Sequence, residues 1–314
     1  LPFAVQTWSE DSLMSAGTSG PPCHFRWAPL CAAIKPWHAA NALAVFALLW
    51  GFSGYQLLDP DEGRYAEIPR EMLERGDWIS PTLNYVPYWE KPPLHYWLTA
   101  ASFRLFGETA WALRIATGFV AVLGLLVAWW LARVTFGSRA GRWAPAVLAS
   151  SWIYFVVGRV PIIDMLFSML LAGALTAWWS SQHSTGRART TRWAMSGVFL
   201  GLAILAKGPV AFVLFGGAVG LYLLLQRDWR QLVPGVLVPS LVGALVAAPW
   251  FVAMARQHPD FLHYFFIVQH VQRFLGSEGR IEHPKPFYYY VAMLGPAMAP
   301  WTVLWVPLPS FATV

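Results

Sequence analysis

Charge is what this sequence has least of: Asp, Glu, Lys and Arg together supply 12% of its 314 residues, about half of what an ordinary soluble domain carries. So few charges cannot coat a water-exposed surface of that size, and a soluble fold is excluded. Cysteine is almost as scarce. Cys23 and Cys31 are the two present, both in a stretch assigned to the cytoplasmic side, so neither a disulfide framework nor a metal-ligand spacing is expected. Internal repeats are lacking, and no soluble domain interrupts the chain. What is abundant is apolar surface: 57% hydrophobic residues, a mean hydropathy of +0.46 and 19 Trp. These define an all-α polytopic membrane protein. The formal charge of +6 does not call for nucleic acid, because the arginines stand in short gaps between apolar runs, as cytoplasmic loops require.

The chain opens on Leu1, with Met14 as a candidate start, and the Ser, Gly and Pro residues of 15–22 read as a disordered lead-in. Residues 1–35 are therefore taken as a cytoplasmic N-terminal segment and 36–314 as the membrane domain. A crossing helix needs roughly 20 apolar residues. Eight windows qualify: 38–58, 110–132, 143–158, 162–181, 193–206, 209–226, 232–255 and 287–308. Arg26 and Lys35 precede the first; Arg133, Arg139 and Arg142 follow the second; Arg187, Arg189 and Arg192 follow the fourth; Arg227 and Arg230 follow the sixth. The positive-inside rule puts all of these in the cytoplasm. The connections 59–109, 159–161, 207–208 and 256–286 then face outward, including both long loops. Gly216 and Gly220 form a small-xxx-small pair expected to admit a neighbouring helix.

Acidic residues are not spread evenly. Nine of the sixteen carboxylates fall in the fifty residues that begin at Asp59. Within that loop Asp61 is expected to cap a short helix, Pro69 to open a second, Glu71 and Arg75 to pair at a spacing of four, and Gly76 to end the helix. Two amphipathic surface helices with solvated charges account for Glu67, Glu71, Glu74 and Asp77. Asp61, Glu62, Glu90 and Lys91 fit that reading less well, since they stand beside aromatic residues at headgroup depth. In "YWEKPPLHYW", residues 88–97, the two prolines keep Glu90 and Lys91 extended. A fixed carboxylate and ammonium there need a partner, and a lipid phosphate would serve. On the same face lie Asp164, three residues after Pro161, where an isolated carboxylate is costly; Lys207, at the turn before Gly208 and Pro209; and His263, His270, Arg273, Arg280, His283 and Lys285 of the last outward loop.

The loop "DEGRYAEIPREMLERGDWISPTLNYVPYWEKPPLHYW" at 61–97, the Asp at 164, "AKGPVA" at 206–211, "APWF" at 248–251, "QHVQRF" at 269–274 and "PFYYY" at 286–290 closely resemble the aminoarabinose-transferase-like branch of the membrane glycosyltransferases. That branch belongs with the protein O-mannosyltransferases. The resemblance covers roughly residues 40 to 310. It implies the multi-spanning glycosyltransferase fold and the transfer of an aminoarabinose- or hexose-like sugar, with inversion. The implied donor is a polyprenyl-phosphate sugar and the implied acceptor a lipid, lipid A among the candidates, or a protein, at the periplasmic face of the inner membrane. No nucleotide cofactor is implied. Asp61, of the acidic pair Asp61 and Glu62, would position or deprotonate the acceptor, and Asp164 would be a second essential acid. Lys91 and Arg273 would clamp the donor phosphate beside Tyr88, with Arg64 and Lys207 as further substrate contacts. Glu90 and His270 would hold a divalent metal, zinc by the resemblance. Family members run longer, with further spans and an outward soluble domain, so the segment 36–314 is read as a C-terminally incomplete domain. A transporter or channel with a charged outward vestibule is the rival reading, as is a non-catalytic lipid-binding protein. Transport predicts polar residues deep in several spans, whereas here charge gathers at one surface.

Overall fold

The computed structural model describes residues 35–54, 56–57, 60–273 and 285–305. From Pro36 onward the chain forms one compact unit. Apart from Lys35, the expected N-terminal segment lies outside the described residues, as do Cys23, Cys31, Asp59, Arg280 and His283.

Among the described residues the architecture is all-helical save for one small hairpin. Helix α1 covers Pro36–Leu49. The first outward loop then supplies α2 (Asp61–Arg75), strands β1 (Thr82–Leu83) and β2 (Val86–Pro87), and α3 (Leu94–Phe106). There follow α4 (Ala110–Phe136), α5 (Ser138–Ala149), α6 (Trp152–Val157), α7 (Ile163–Ser181), α8 (Gly186–Lys207), α9 (Val210–Leu225) and α10 (Trp229–Gln257). A π-helical stretch, His263–Gln272, leads away from α10, and α11 runs Phe287–Ala297.

Among the described residues α4, α7 and α10 are long and apolar enough to cross a bilayer, while α1 and α9 are shorter apolar helices. Three expected windows differ from the helices found. The first ends at Leu49, well before residue 58. The last, 287–308, is α-helical only to Ala297. The third, 143–158, is not one span: it breaks between α5 and α6 at Ser150 and Ser151. The Ser150 hydroxyl joins its own N–H on the Ala146 carbonyl (2.7 Å), while the Ser151 hydroxyl takes the Val147 carbonyl (3.0 Å) that its N–H would use in a continuing helix, and that N–H turns to Leu148 (3.0 Å).

Close helix packing is also placed differently from expectation. A Cβ on Gly220 would meet nothing within 4 Å among the described residues, and one on Gly216 only Val236 at 3.9 Å. The tight contact is between α8 and α10. A Cβ on Gly197 would lie 2.5 Å from the Val242 Cβ, and one on Gly201 2.6 Å from the Val246 Cβ. Gly197 and Gly201, four residues apart, therefore let two backbones approach where larger residues would clash. Trp178 of α7 adds a tie to α10 by donating to the Gly235 carbonyl at 2.9 Å.

Residues 61–75 of the acidic loop form one helix where two were expected. Helix α2 continues through Pro69 and ends at Gly76, whose φ of 66° suits a residue without a side chain. Pro60, not Asp61, occupies the capping position, and it makes no side-chain cap bond. Tyr65, Ile68 and Met72 form the buried stripe of α2. The expected Glu71 to Arg75 pair is replaced by other bonds. Arg75 donates to the Ser80 carbonyl (2.6 Å) and pairs with Asp77 (3.3 Å), while Arg70 bridges Glu67 (2.7 Å) and Glu74 (2.8 Å).

Candidate functional site

The hairpin that carries Tyr88, Glu90 and Lys91 is built on a buried carboxylate. Glu71 is fully buried on α2 and accepts from the Thr82 hydroxyl and from the Tyr85 backbone N–H at 3.0 Å. That bond holds the turn Asn84–Tyr85, whose residues both have positive φ, 53° and 60°. Three further ties fix the segment before the hairpin. Trp97 donates to the Trp78 carbonyl (2.8 Å), Trp250 of α10 donates to the Ile79 carbonyl (3.0 Å), and the Ser80 hydroxyl meets His258 Nε2 (2.8 Å). Trp89 packs against His258, Phe261 and Tyr264 of the second loop. The two outward segments are thus locked together, and Pro92 and Pro93 then deliver Lys91 extended to the start of α3.

Around Lys91 the charges converge. Burial, then the Lys207 ammonium and the Arg273 guanidinium, hold the Lys91 ammonium below the usual lysine range, against the pull of Glu90 and Asp164. Five charged side chains from four separate segments therefore act on one another in this region. Asp164, in the first turn of α7, pairs with Lys207 at the last residue of α8. Lys207 also lies 5.4 Å over the Phe167 ring. The Tyr88 hydroxyl donates to Glu90 at 3.1 Å. Burial and then the Glu90 charge push the Tyr88 phenol well above its ordinary value.

A second acid stands at the edge of this group. Asp61 is 57% exposed and reaches Arg64 at 3.9 Å, and Arg64 in turn meets the Tyr88 hydroxyl. Tyr65 connects the two halves. Burial, then Asp61 and Asp164, push its phenol up to about 12. Asp164, at 53% exposure, is like Asp61 open to an incoming group.

His270 reaches the same region from the π-helical stretch. Its Nδ1 meets the Phe265 carbonyl, and its Nε2 faces the backbone of Gly208, where an added Cβ would come within 3.1 Å. Burial lowers its pKa, and the nearby Lys91 and Arg273 act in the same direction. Gly208 has a φ of 92°, and a Cβ there would also press to within 3.1 Å of both His270 and Phe265, which is the physical use of glycine in the "AKGPVA" turn. As for a divalent metal, the Phe265 carbonyl fixes the tautomer that leaves Nε2 with its lone pair, as metal-binding imidazoles require. Among the described residues, however, no three His, Cys, Asp or Glu side chains gather as a metal-binding group. Glu90 and His270 remain a two-ligand proposal.

Glu62 departs most from its expected place. It does not face the acids; it is buried in a doubly bonded pair with Arg114, Nε to Oε1 at 3.1 Å and Nη2 to Oε2 at 2.7 Å. Sequence pattern assigns no role to Arg114 or His258, and carries Tyr65 and Trp250 within motifs without a role of their own. An arginine close to the start of a span was the available signal for Arg114, since a buried guanidinium needs an anion. Arg159, on the outward side by the loop assignment, has a structural use: it donates to the Ala47 carbonyl at the end of α1 (2.7 Å) and lies over Phe52 and Phe155.

Comparison with known proteins bears on this geometry. Residues 90–254 match the family described as dolichyl-phosphate-mannose-protein mannosyltransferase. The undecaprenyl phosphate-alpha-4-amino-4-deoxy-L-arabinose arabinosyl transferase of Serratia proteamaculans is 35% identical over 270 residues, covering 84% of this chain and 48% of that protein. Its counterpart from Edwardsiella ictaluri is 33% identical over 270 residues, covering 85% and 49%. Among solved structures, ArnT from Cupriavidus metallidurans bound to undecaprenyl phosphate superposes with a TM-score of 0.76 at 30% identity, over 85% of this chain and 49% of that one. The archaeal oligosaccharyltransferase AglB from Archaeoglobus fulgidus shares the fold alone, with a TM-score of 0.53 at 14% identity over 86% and 36% of the two chains. The chain spans about half the length of the curated relatives it matches.

Proposed function

The chain belongs to the dolichyl-phosphate-mannose-protein mannosyltransferase family, in its arabinosyl-transferase-like branch, and from that premise we propose that it moves a sugar from a polyprenyl-phosphate donor to a lipid acceptor. It is a multi-pass protein of the bacterial inner membrane, with its long loops facing the periplasm. An aminoarabinose-like sugar and lipid A are the donor group and acceptor that the most similar relatives favour.

The observation that carries the reading is the crowding of cations at Lys91. Burial, Lys207 and Arg273 outweigh Glu90 and Asp164 in holding its ammonium below the usual lysine range, so three cations share two carboxylates there. A lipid phosphate supplies what is missing. As the bond from the anomeric carbon to the phosphate oxygen breaks, negative charge grows on the departing phosphate. Lys91 and Arg273 beside it stabilise that charge more than they stabilise the bound donor.

The acceptor oxygen forms the new bond from the opposite face, so a single displacement inverts the anomeric centre. If that oxygen is a hydroxyl, its proton passes to Asp61, whose open carboxylate stands 3.9 Å from the Arg64 guanidinium. If it belongs to a phosphate, no base is needed and Asp61 orients the acceptor. Asp164 restrains Lys207, and Tyr88 and Glu90 line the approach. A divalent metal held by Glu90 and His270 would add Lewis-acid help at a phosphate oxygen, and no step above depends on it.

The deciding experiment is mass spectrometry of membrane lipids from cells with and without the protein, beside cells carrying Lys91→Ala at equal abundance. A mass increment matching a pentose or hexose derivative, lost in the variant, is expected. Identical lipids in all three, with ion flux that depends on the protein, would replace the enzyme by a transporter.

A further inference from the structure

Among the described residues the pair formed by Glu62 and Arg114 is the most deeply enclosed ion pair, and nothing in the reaction scheme uses it. Both side chains are buried, at 1% and 0% exposure. Arg114, near the start of α4, gives two bonds to the carboxylate. It gives two more to backbone carbonyls, Phe52 (2.7 Å, from Nη1) and Gln56 (2.8 Å, from Nη2). One guanidinium therefore ties together the segment after α1, the first turn of α2 and α4. Its planar fork makes all four bonds at once, which a lysine ammonium cannot reproduce.

At the start of α2 this pair acts beside the Arg64 contact with the Tyr88 hydroxyl and the packing of Tyr65 on His95 and Tyr96. Pro60 has no side-chain acceptor for the first N–H groups, and Asp61 has a long contact with Arg64, at 3.9 Å. Asp61 and Glu62 are neighbours on the helix, so about 100° of rotation separates their side chains. The inward grip on Glu62 accordingly decides the outward direction of Asp61.

We propose that Arg114 is a positioning residue for the periplasmic site: its buried pair with Glu62 fixes the entry of α2 and so sets where Asp61 and Arg64 stand. The proposal rests on the sugar-transfer reading for its kinetic consequence, since a displacement of about 1 Å in a reacting group costs on the order of 10²-fold.

The test uses the full chain in detergent with Arg114→Lys, and with Glu62→Gln as the alternative variant should Arg114→Lys fail to fold. Amide hydrogen exchange of residues 61–66 is expected to quicken by about tenfold or more, while residues 82–87 of the hairpin keep their wild-type rates. Transfer from undecaprenyl-phosphate aminoarabinose to lipid A is expected to lose roughly 10- to 100-fold in kcat, with the donor KM within about twofold. Arg114→Lys combined with Asp61→Asn should lose clearly less than the product of the two single losses, because both changes act in part through Asp61. Unchanged exchange at 61–66 overturns the proposal, as do losses that multiply in the double variant or a raised KM at constant kcat. If the wild type transfers no sugar, the functional reading fails by itself, and the exchange measurement still decides what Arg114 does.

Discussion

Replacing Lys91 by methionine separates the demands of function from those of stability. The side chain is half-buried and extended ahead of two prolines. Burial, Lys207 and Arg273 depress the pKa of its ammonium. In the free protein the charge is therefore a cost, and methionine, of similar length, removes it. Thermal unfolding in detergent near neutral pH should occur at a higher temperature for Lys91→Met than for wild type. The sign follows from linkage: a base whose folded pKa is lowered binds fewer protons folded than unfolded. Its penalty is present in full below the folded pKa and fades as pH rises toward the unfolded lysine value of about 10.4. The gap between variant and wild type should thus narrow on the alkaline side.

With donor bound, the balance reverses. One further negative charge arising on the phosphate about 4 Å from an ammonium, at an effective dielectric near 20, is worth about 4 kcal/mol. Arg273 remains in the variant, so the expected loss in kcat/KM is roughly 10²- to 10³-fold. Undecaprenyl phosphate should raise the unfolding temperature of wild type more than that of the variant, in which Arg273 remains. In wild type, transfer should also fall with rising pH before an ordinary lysine would titrate, because only the charged form of Lys91 grips the phosphate. A Lys91→Met protein that unfolds earlier than wild type, or transfers sugar within threefold of it, would refute this account of the site.

Other perturbations have equally definite outcomes. Glu71→Ala leaves the Thr82 hydroxyl and the Tyr85 N–H without their buried acceptor, and should cost about 3 kcal/mol in chemical denaturation, with faster hydrogen exchange at 82–87. Gly197→Ala and Gly201→Ala each drive a methyl group into α10 and should cost about 1–3 kcal/mol, whereas Gly220→Ala, facing open space, should leave the unfolding temperature unchanged or slightly raised. Asp164→Asn removes the partner of Lys207, adding net positive charge beside Lys91. Undecaprenyl phosphate should then bind at least as tightly as to wild type while sugar transfer falls by about 10²-fold; equal transfer by variant and wild type would release Asp164 from the mechanism.

Composition and spacing determined the class of this protein, the outward side of its charged loops and most of the residues that meet there. They did so because each signal is local: apolar runs announce lipid contact, arginines in short gaps announce the cytoplasm, and paired prolines announce an extended segment. Burial and partner choice depend instead on packing between distant segments, and these only the tertiary structure decided. Glu71 reads in sequence as one more solvated acid, yet it holds a hairpin eleven residues away. Glu62 reads as half of an acidic pair, yet Arg114, fifty-two residues on, draws it inward and leaves Asp61 outside. The close glycine pair likewise moved from Gly216 and Gly220 to Gly197 and Gly201, since any helix with two small residues can accept a neighbour, and the fold settles which one receives it. A charge buried in a membrane protein must find its counter-charge in three dimensions, and a linear pattern records the charges without recording who meets whom.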